Sequence, residues 1–193
     1  MPNHLRGTSC YLVGPIENDP TNGSDWRRHA ASELMKFGVK IYNPLDRPVW
    51  MNPIAKFIPP AMGRNEIVRA LDTGFRPIMN AQSVTRRICK RFVATCDFVF
   101  CYLTDTKTYG TTEELADAYA MGKPIIVVMP GGCPSLWLYD IIRDEMQFDT
   151  VCGAIDYLRM IDNGTTELDA IKWIFIGDDY ELKHIVSDRD ENR

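Results

Sequence analysis

The run 124-PIIVVM-129 has no polar residue between its proline and its methionine, and nothing else in the chain limits the fold as strongly. A strand wetted on one face alternates polar and apolar side chains, so an unbroken run implies a strand covered on both faces, as in a parallel sheet. The stretches 9-SCYLVG-14 and 97-DFVFCYL-103 are of the same kind, and 39-VKIYN-43 is a weaker fourth. Parallel neighbours need long crossovers, and the intervening segments carry helical spacing. Residues 25–36 read as a helix capped by Ser24 or Asp25, with Trp26, Ala30, Leu34 and Phe37 on its apolar face and Gly38 as its stop. The basic stretch 84-VTRRICKRFVAT-95 predicts a second helix, and 109-YGTTEELADAYAMG-122 a third that ends at Gly122. Further helices are expected over 135–145 and 151–161. Strands alternating with helices give an α/β fold with a doubly wound, mostly parallel sheet of the flavodoxin or Rossmann kind.

Between about 45 and 83 the pattern dissolves. Prolines at 48, 53, 59, 60 and 77 predict an irregular insertion or lid, with one helix near 64–72. A length of 193 residues suits a single domain spanning 1–193, and 187-SDRDENR-193 reads as a solvated tail. A net charge of −4 disfavours polymeric nucleic acid and anionic membrane surfaces as partners. No apolar run approaches the roughly 20 residues of a membrane span, and MPNHLRGTS has no signal-peptide core, so the expected location is the cytoplasm. The six cysteines form no CxxC pair and the three histidines stand at no finger-like spacing. Structural thiols are expected, with no metal and no cofactor.

In doubly wound sheets ligands sit beyond the carboxyl ends of the strands. That rule selects the turns 14-GPIEN-18, 43-NPLD-46 and 104-TDTKTYGTTEE-114. In the third, Thr111 and Glu114 fit the S/T-x-x-E capping box, in which the glutamate reaches back to a free backbone N–H. The helix dipole should then depress the Glu114 pKa, and a fixed, ionised carboxylate can also act as a nucleophile toward an electron-poor carbon. Glu113 is expected to face solvent.

Beyond these readings, Tyr11-Leu-Val-Gly14-Pro-Ile16-Glu17, Trp26-Arg27, Asn43-Pro44-Leu-Asp46, Asp97-Phe-Val-Phe, Gly110-Thr-Thr-Glu-Glu114-Leu and Gly122-Lys123-Pro124 occur in an order and spacing that resemble the nucleoside 2-deoxyribosyltransferase superfamily, which includes the 2'-deoxynucleoside 5'-phosphate N-hydrolases. The resemblance covers residues 8–140. It implies an enzyme that cleaves or exchanges the N-glycosidic bond of (deoxy)nucleosides or their 5'-monophosphates through a covalent glycosyl-Glu114 intermediate. It places the family's active-site tyrosine on Tyr11, and Gly14, Ile16, Glu17 and Gly110 around base and sugar. The partner it implies is a small nucleoside or nucleotide. It also implies a homodimer or larger homo-oligomer, with Ser135 reaching the neighbour's substrate.

Two departures bear on substrate and mechanism. Six residues before Glu114, where transferases of free nucleosides carry an aspartate, stands Thr108, which resembles the phosphate-accepting serine of the nucleotide hydrolases. Eight residues before Asp97 the family's usual aspartate is replaced by Cys89, with Arg86, Arg87 and Lys90 nearby as candidates for phosphate recognition. Asp46 or Asp72 is then a candidate general acid. One alternative is a non-catalytic nucleotide-binding module on the same fold. Another is a phosphoribohydrolase of the cytokinin-activating type, whose PGGxGTxxE motif is only partly matched: GTTEE is present, but PGG falls at 130–132.

Overall fold

The computed structural model describes residues 3–16, 19–46, 68–69, 72, 76–105, 108–142, 146–169 and 171–176. Along the chain run β1 (Ser9–Val13), α1 (Ser24–Lys36), β2 (Lys40–Tyr42), α2 (Arg76–Thr95), β3 (Phe98–Tyr102), α3 (Tyr109–Ala120), β4 (Ile125–Val128), α4 (Leu136–Tyr139), β5 (Gln147–Phe148) and α5 (Val151–Asp162). The five strands form one sheet in the order β2-β1-β3-β4-β5, and every pair is parallel. This is the doubly wound architecture that the apolar runs predict.

Alternate residues of each central strand feed two separate cores. Cys10, Leu12, Phe98, Phe100, Ile126 and Val128 face α1 and α5, where they meet Ala30, Leu34, Ile155 and Leu158. Tyr11, Val13, Val99, Cys101, Ile125 and Val127 face the other side and pack with Val93 of α2 and Leu115 and Ala118 of α3. Burial of each large aliphatic side chain stabilises by roughly 1.5–3 kcal/mol. The start of β3 is tied to β1 by Asp97, whose Oδ2 accepts from the Ser9 amide at 2.6 Å and the Ser9 hydroxyl at 2.7 Å.

The boundaries depart from the sequence reading in several places. Neither Ser24 nor Asp25 caps α1; the preceding residue is Gly23, whose φ of 67° places it in the left-handed region. The basic helix begins at Arg76, not near 84. Pro77 reads as a breaker, but it lies at the beginning of the described helix, and a first turn requires no intrahelical N–H there. Of the helix expected over 135–145, only Leu136–Tyr139 is helical among the described residues, and β5 follows unannounced. Two residues are too short a strand to leave a period in the sequence. Most of the 45–83 insertion and the whole of the 187–193 tail lie outside the described residues; of the helix near 64–72, residues 68, 69 and 72 are helical. Among the described residues no helix is long and apolar enough to cross a membrane.

Candidate active site

The strand order reverses between β1 and β3, and a cavity of about 480 Å³ opens there at the carboxyl ends of the strands. Each of the three turns selected from the sequence contributes to it. Gly14, Pro15 and Ile16 come from the turn after β1, Pro44 from the turn after β2, and Thr108 to Thr111 with Glu113 and Glu114 from the start of α3. Tyr11 and Arg27 form inner wall, and α2 closes one side with Thr85, Arg86, Cys89 and Lys90.

At the centre of the cavity Tyr11 Oη donates to Glu114 Oε1 at 2.9 Å. A hydrogen bond to a charged acceptor is worth roughly 1.5–3 kcal/mol and fixes the rotamers at both ends. The capping box is not formed. Helix α3 starts at Tyr109, three residues sooner than the box requires, and Thr111 is buried inside it. Glu114 therefore lies in the second turn, beyond reach of the helix entrance, and turns toward β1. Its pKa is not depressed as expected but raised to about 7. Burial is the largest cause, and hydrogen bonds from Tyr11 and Cys89 and the charge of Arg27 oppose it. Desolvation penalises the charged form more than these partners favour it. Burial likewise holds the Tyr11 hydroxyl well above its ordinary value, so it remains a donor.

Glu113 does not stand free in solvent. Its carboxylate accepts from Arg86 Nε at 3.0 Å and also pairs with Arg86 Nη2, while Lys90 Nζ lies 3.0 Å away. Bonding to Arg86 and Lys90 lowers its pKa to about 2. Lys90 also meets Asp117 Oδ2 at 2.6 Å. Both cations line the cavity mouth, already balanced by two carboxylates. Arg87, on the same helix, is exposed and does not line the cavity.

The remaining expected residues divide. Gly14, Ile16, Thr108 and Gly110 line the cavity. Glu17 lies outside the described residues. Asp46 and Asp72 are described but do not line it. Ser135 precedes α4, where its Oγ accepts from the Trp137 amide at 3.3 Å, and it is not part of this cavity within one chain. The 130-PGG-132 stretch is also absent from the lining. Cys89 is half-buried beside Tyr11 and Glu114, and its thiol pKa is pushed up to about 11, chiefly by burial, so the thiol stays neutral. No group of three or more His, Cys, Asp or Glu suited to a metal ion occurs among the described residues.

Arg27 is the residue to which the sequence assigned no role. A cue was present: it precedes Ala31 and Leu34 at helical spacing, so it occupies the apolar stripe of α1 and is 1% exposed.

No protein-family model and no curated protein sequence matches the chain. Among solved structures it is similar to a 2-deoxyribosyltransferase from the psychrotolerant bacterium Bacillus psychrosaccharolyticus, with 17% identity and a TM-score of 0.52 over 78% of this chain and 92% of that one. It is also similar to a 2-deoxyribosyltransferase from Leishmania mexicana, with 19% identity and a TM-score of 0.48 over 78% of this chain and 96% of that one. At such identities the likeness is one of fold. The chain has a fold related to that of the nucleoside deoxyribosyltransferases.

Proposed function

We propose that this chain is an enzyme that cleaves or exchanges the N-glycosidic bond of (deoxy)nucleosides or their 5'-monophosphates, with Glu114 as nucleophile. The observation that carries this reading is the Tyr11–Glu114 hydrogen bond of 2.9 Å, set inside a cavity at the point where the strand order reverses. Tyr11 holds one carboxylate oxygen, Oε1, and so orients the carboxylate for attack on the anomeric carbon. In the first step a Glu114 oxygen bonds to C1' while the C1'–N bond breaks. The base departs with the bonding pair and takes up a proton. In the second step water or the nitrogen of another base attacks C1', gives up a proton, and the ester bond returns its electrons to the carboxylate. Two inversions give net retention, as in retaining glycosidases. The neutral Cys89 thiol and the Arg27 charge favour the ionised form of Glu114 that the attack requires. The protein from Bacillus psychrosaccharolyticus is described as a biocatalyst for nucleoside synthesis, which agrees with this substrate class.

A non-catalytic module that binds the same ligands is the second reading. Cys89 in place of a carboxylate favours it, because no second acid lines the cavity beyond Glu113 and Glu114 among the described residues. A chromatographic screen of nucleosides and 5'-monophosphates, with and without an added free base, separates the two. Release or exchange of base, lost in Glu114→Gln, supports the enzyme. Binding without base release from any substrate overturns it.

A further inference from the structure

We infer that Arg27 is a positioning residue of this cavity, a buried cation that clamps the Gly14–Ile16 wall and supports the negative charge of Glu114. Arginine is among the residues least often fully buried, and a buried guanidinium ordinarily has a carboxylate partner. Among the described residues Arg27 makes no ion pair. Its Nη2 donates to the Gly14 carbonyl at 2.8 Å, and its Nη1 donates to the carbonyls of Gly23 at 3.0 Å and Pro15 at 3.2 Å. Neutral carbonyls orient the fork without an ion pair; the carboxylates that act on its charge are Glu114, which lines the same cavity, and Asp19 at the other end of the turn.

The surrounding chain is built to admit this group. A Cβ at Gly23 would lie 2.1 Å from Arg27 Nη1 and 2.3 Å from the Pro15 carbonyl, so only glycine fits there. A Cβ at Gly14 would lie 2.7 Å from the Trp26 ring and 2.8 Å from the Tyr102 carbonyl. The guanidinium sits 4.4 Å from the Trp26 ring centroid, and that ring stacks on Tyr102 at 5.3 Å. Asp19 shapes the other end of the turn, its Oδ1 accepting from the Gly23 amide at 2.9 Å and the Thr21 amide at 2.8 Å. Burial lowers the Arg27 pKa to about 10, which leaves it charged at neutral pH.

The titratable and charged groups that act on Glu114 come from every neighbouring element. Among the described residues they include Tyr11 on β1, Arg27 on α1, Cys89 on α2, Cys101 on β3 and Glu113 on α3, with Arg86 and Lys90 of α2 in the same lining but paired with Glu113. Arg27 is the buried cation that acts on Glu114 among the described residues, so its removal should shift Glu114 toward the protonated form.

The test is a carboxyl-carbon NMR titration of Glu114, its resonance identified by its loss in Glu114→Gln. The midpoint should rise in the order wild type, Arg27→Lys, Arg27→Met, the last shifted upward by about one pH unit or more. Lysine keeps a charge but cannot reach three carbonyls at once from the same position. If Arg27→Met does not fold, Arg27→Lys alone decides. A wild-type midpoint in the folded variants overturns the proposal and leaves Arg27 as packing. The inference rests on the glycosyl-transfer reading only for its use in catalysis. The titration needs no substrate, so a chain that releases no base would overturn that reading without touching this one.

Discussion

At Glu114 burial, helped by the Glu113 charge, outweighs Tyr11, Cys89 and Arg27, and the pKa lies above its ordinary value. The folded pKa of about 7 lies above the ordinary 4.5, so the folded state holds this proton more tightly than the unfolded chain does. Stability must therefore fall as pH rises from about 4.5 through 7, with the full cost present above that window. At 1.36 kcal/mol per pKa unit the cost is on the order of 3 kcal/mol. Glu114→Gln keeps the shape and removes the charge, so it should melt higher than wild type at pH 8. The two melting curves should converge near pH 4, where the wild-type carboxyl is already neutral. A Gln variant that is less stable at pH 8 would show that the carboxylate stabilises the fold. In the same residue the acid limb of base release should lie near pH 7, since the attack needs the ionised form. The cost in stability is the expected companion of a functional group held where packing alone would not put it.

At the scale of elements, the central strands were legible because unbroken apolar runs such as Ile125–Val128 have few other uses. The position of the cavity was legible too, from the turns that follow the strands' carboxyl ends. What the sequence hid was set by contacts between distant segments. Tyr11 and Glu114 are 103 residues apart, and no local pattern reports that β1 desolvates α3. The start of α2 was hidden because Pro77 is a breaker in mid-helix and acceptable in a first turn. Packing of α2 on α3 also changes the meaning of the basic cluster, whose Arg86 and Lys90 are paired with Glu113 and Asp117. A 5'-phosphate at the mouth must compete with Glu113 for both cations. Thr108, in the lining, adds a hydroxyl where an aspartate would repel the phosphate. Monophosphates should therefore be preferred over nucleosides, and Glu113→Gln should raise the ratio of their kcat/KM values several-fold. Because these groups are exposed, the melting temperature should barely move. Thr108→Asp should reverse the preference. If the ratio stays constant in both variants, the α2–α3 rim does not read phosphate.

For the whole molecule the open question is what covers α4. Leu138 anchors this short helix in the core, but Leu136 is 92% exposed and Trp137 84%, with Tyr139 half-exposed beside them. Contiguous exposed apolar side chains of this size are what an interaction surface presents. A second copy of the chain is the occupant that the deoxyribosyltransferase reading implies, and a two-fold contact would present the same patch from both sides. Ser135 stands at the entrance to α4, so a contact through this patch is the route by which it would reach a neighbour's cavity. Light scattering should then give a dimer or a larger species, and activity per subunit should fall on dilution through the dissociation range. Trp137→Asp places a charge in the proposed contact without touching a buried residue, so the circular dichroism spectrum should persist while the assembly dissociates and base release drops. Ser135→Ala should keep the assembly and raise KM, because it removes only the hydroxyl. A wild-type monomer with full activity at every dilution would mean that each cavity is complete within its own chain.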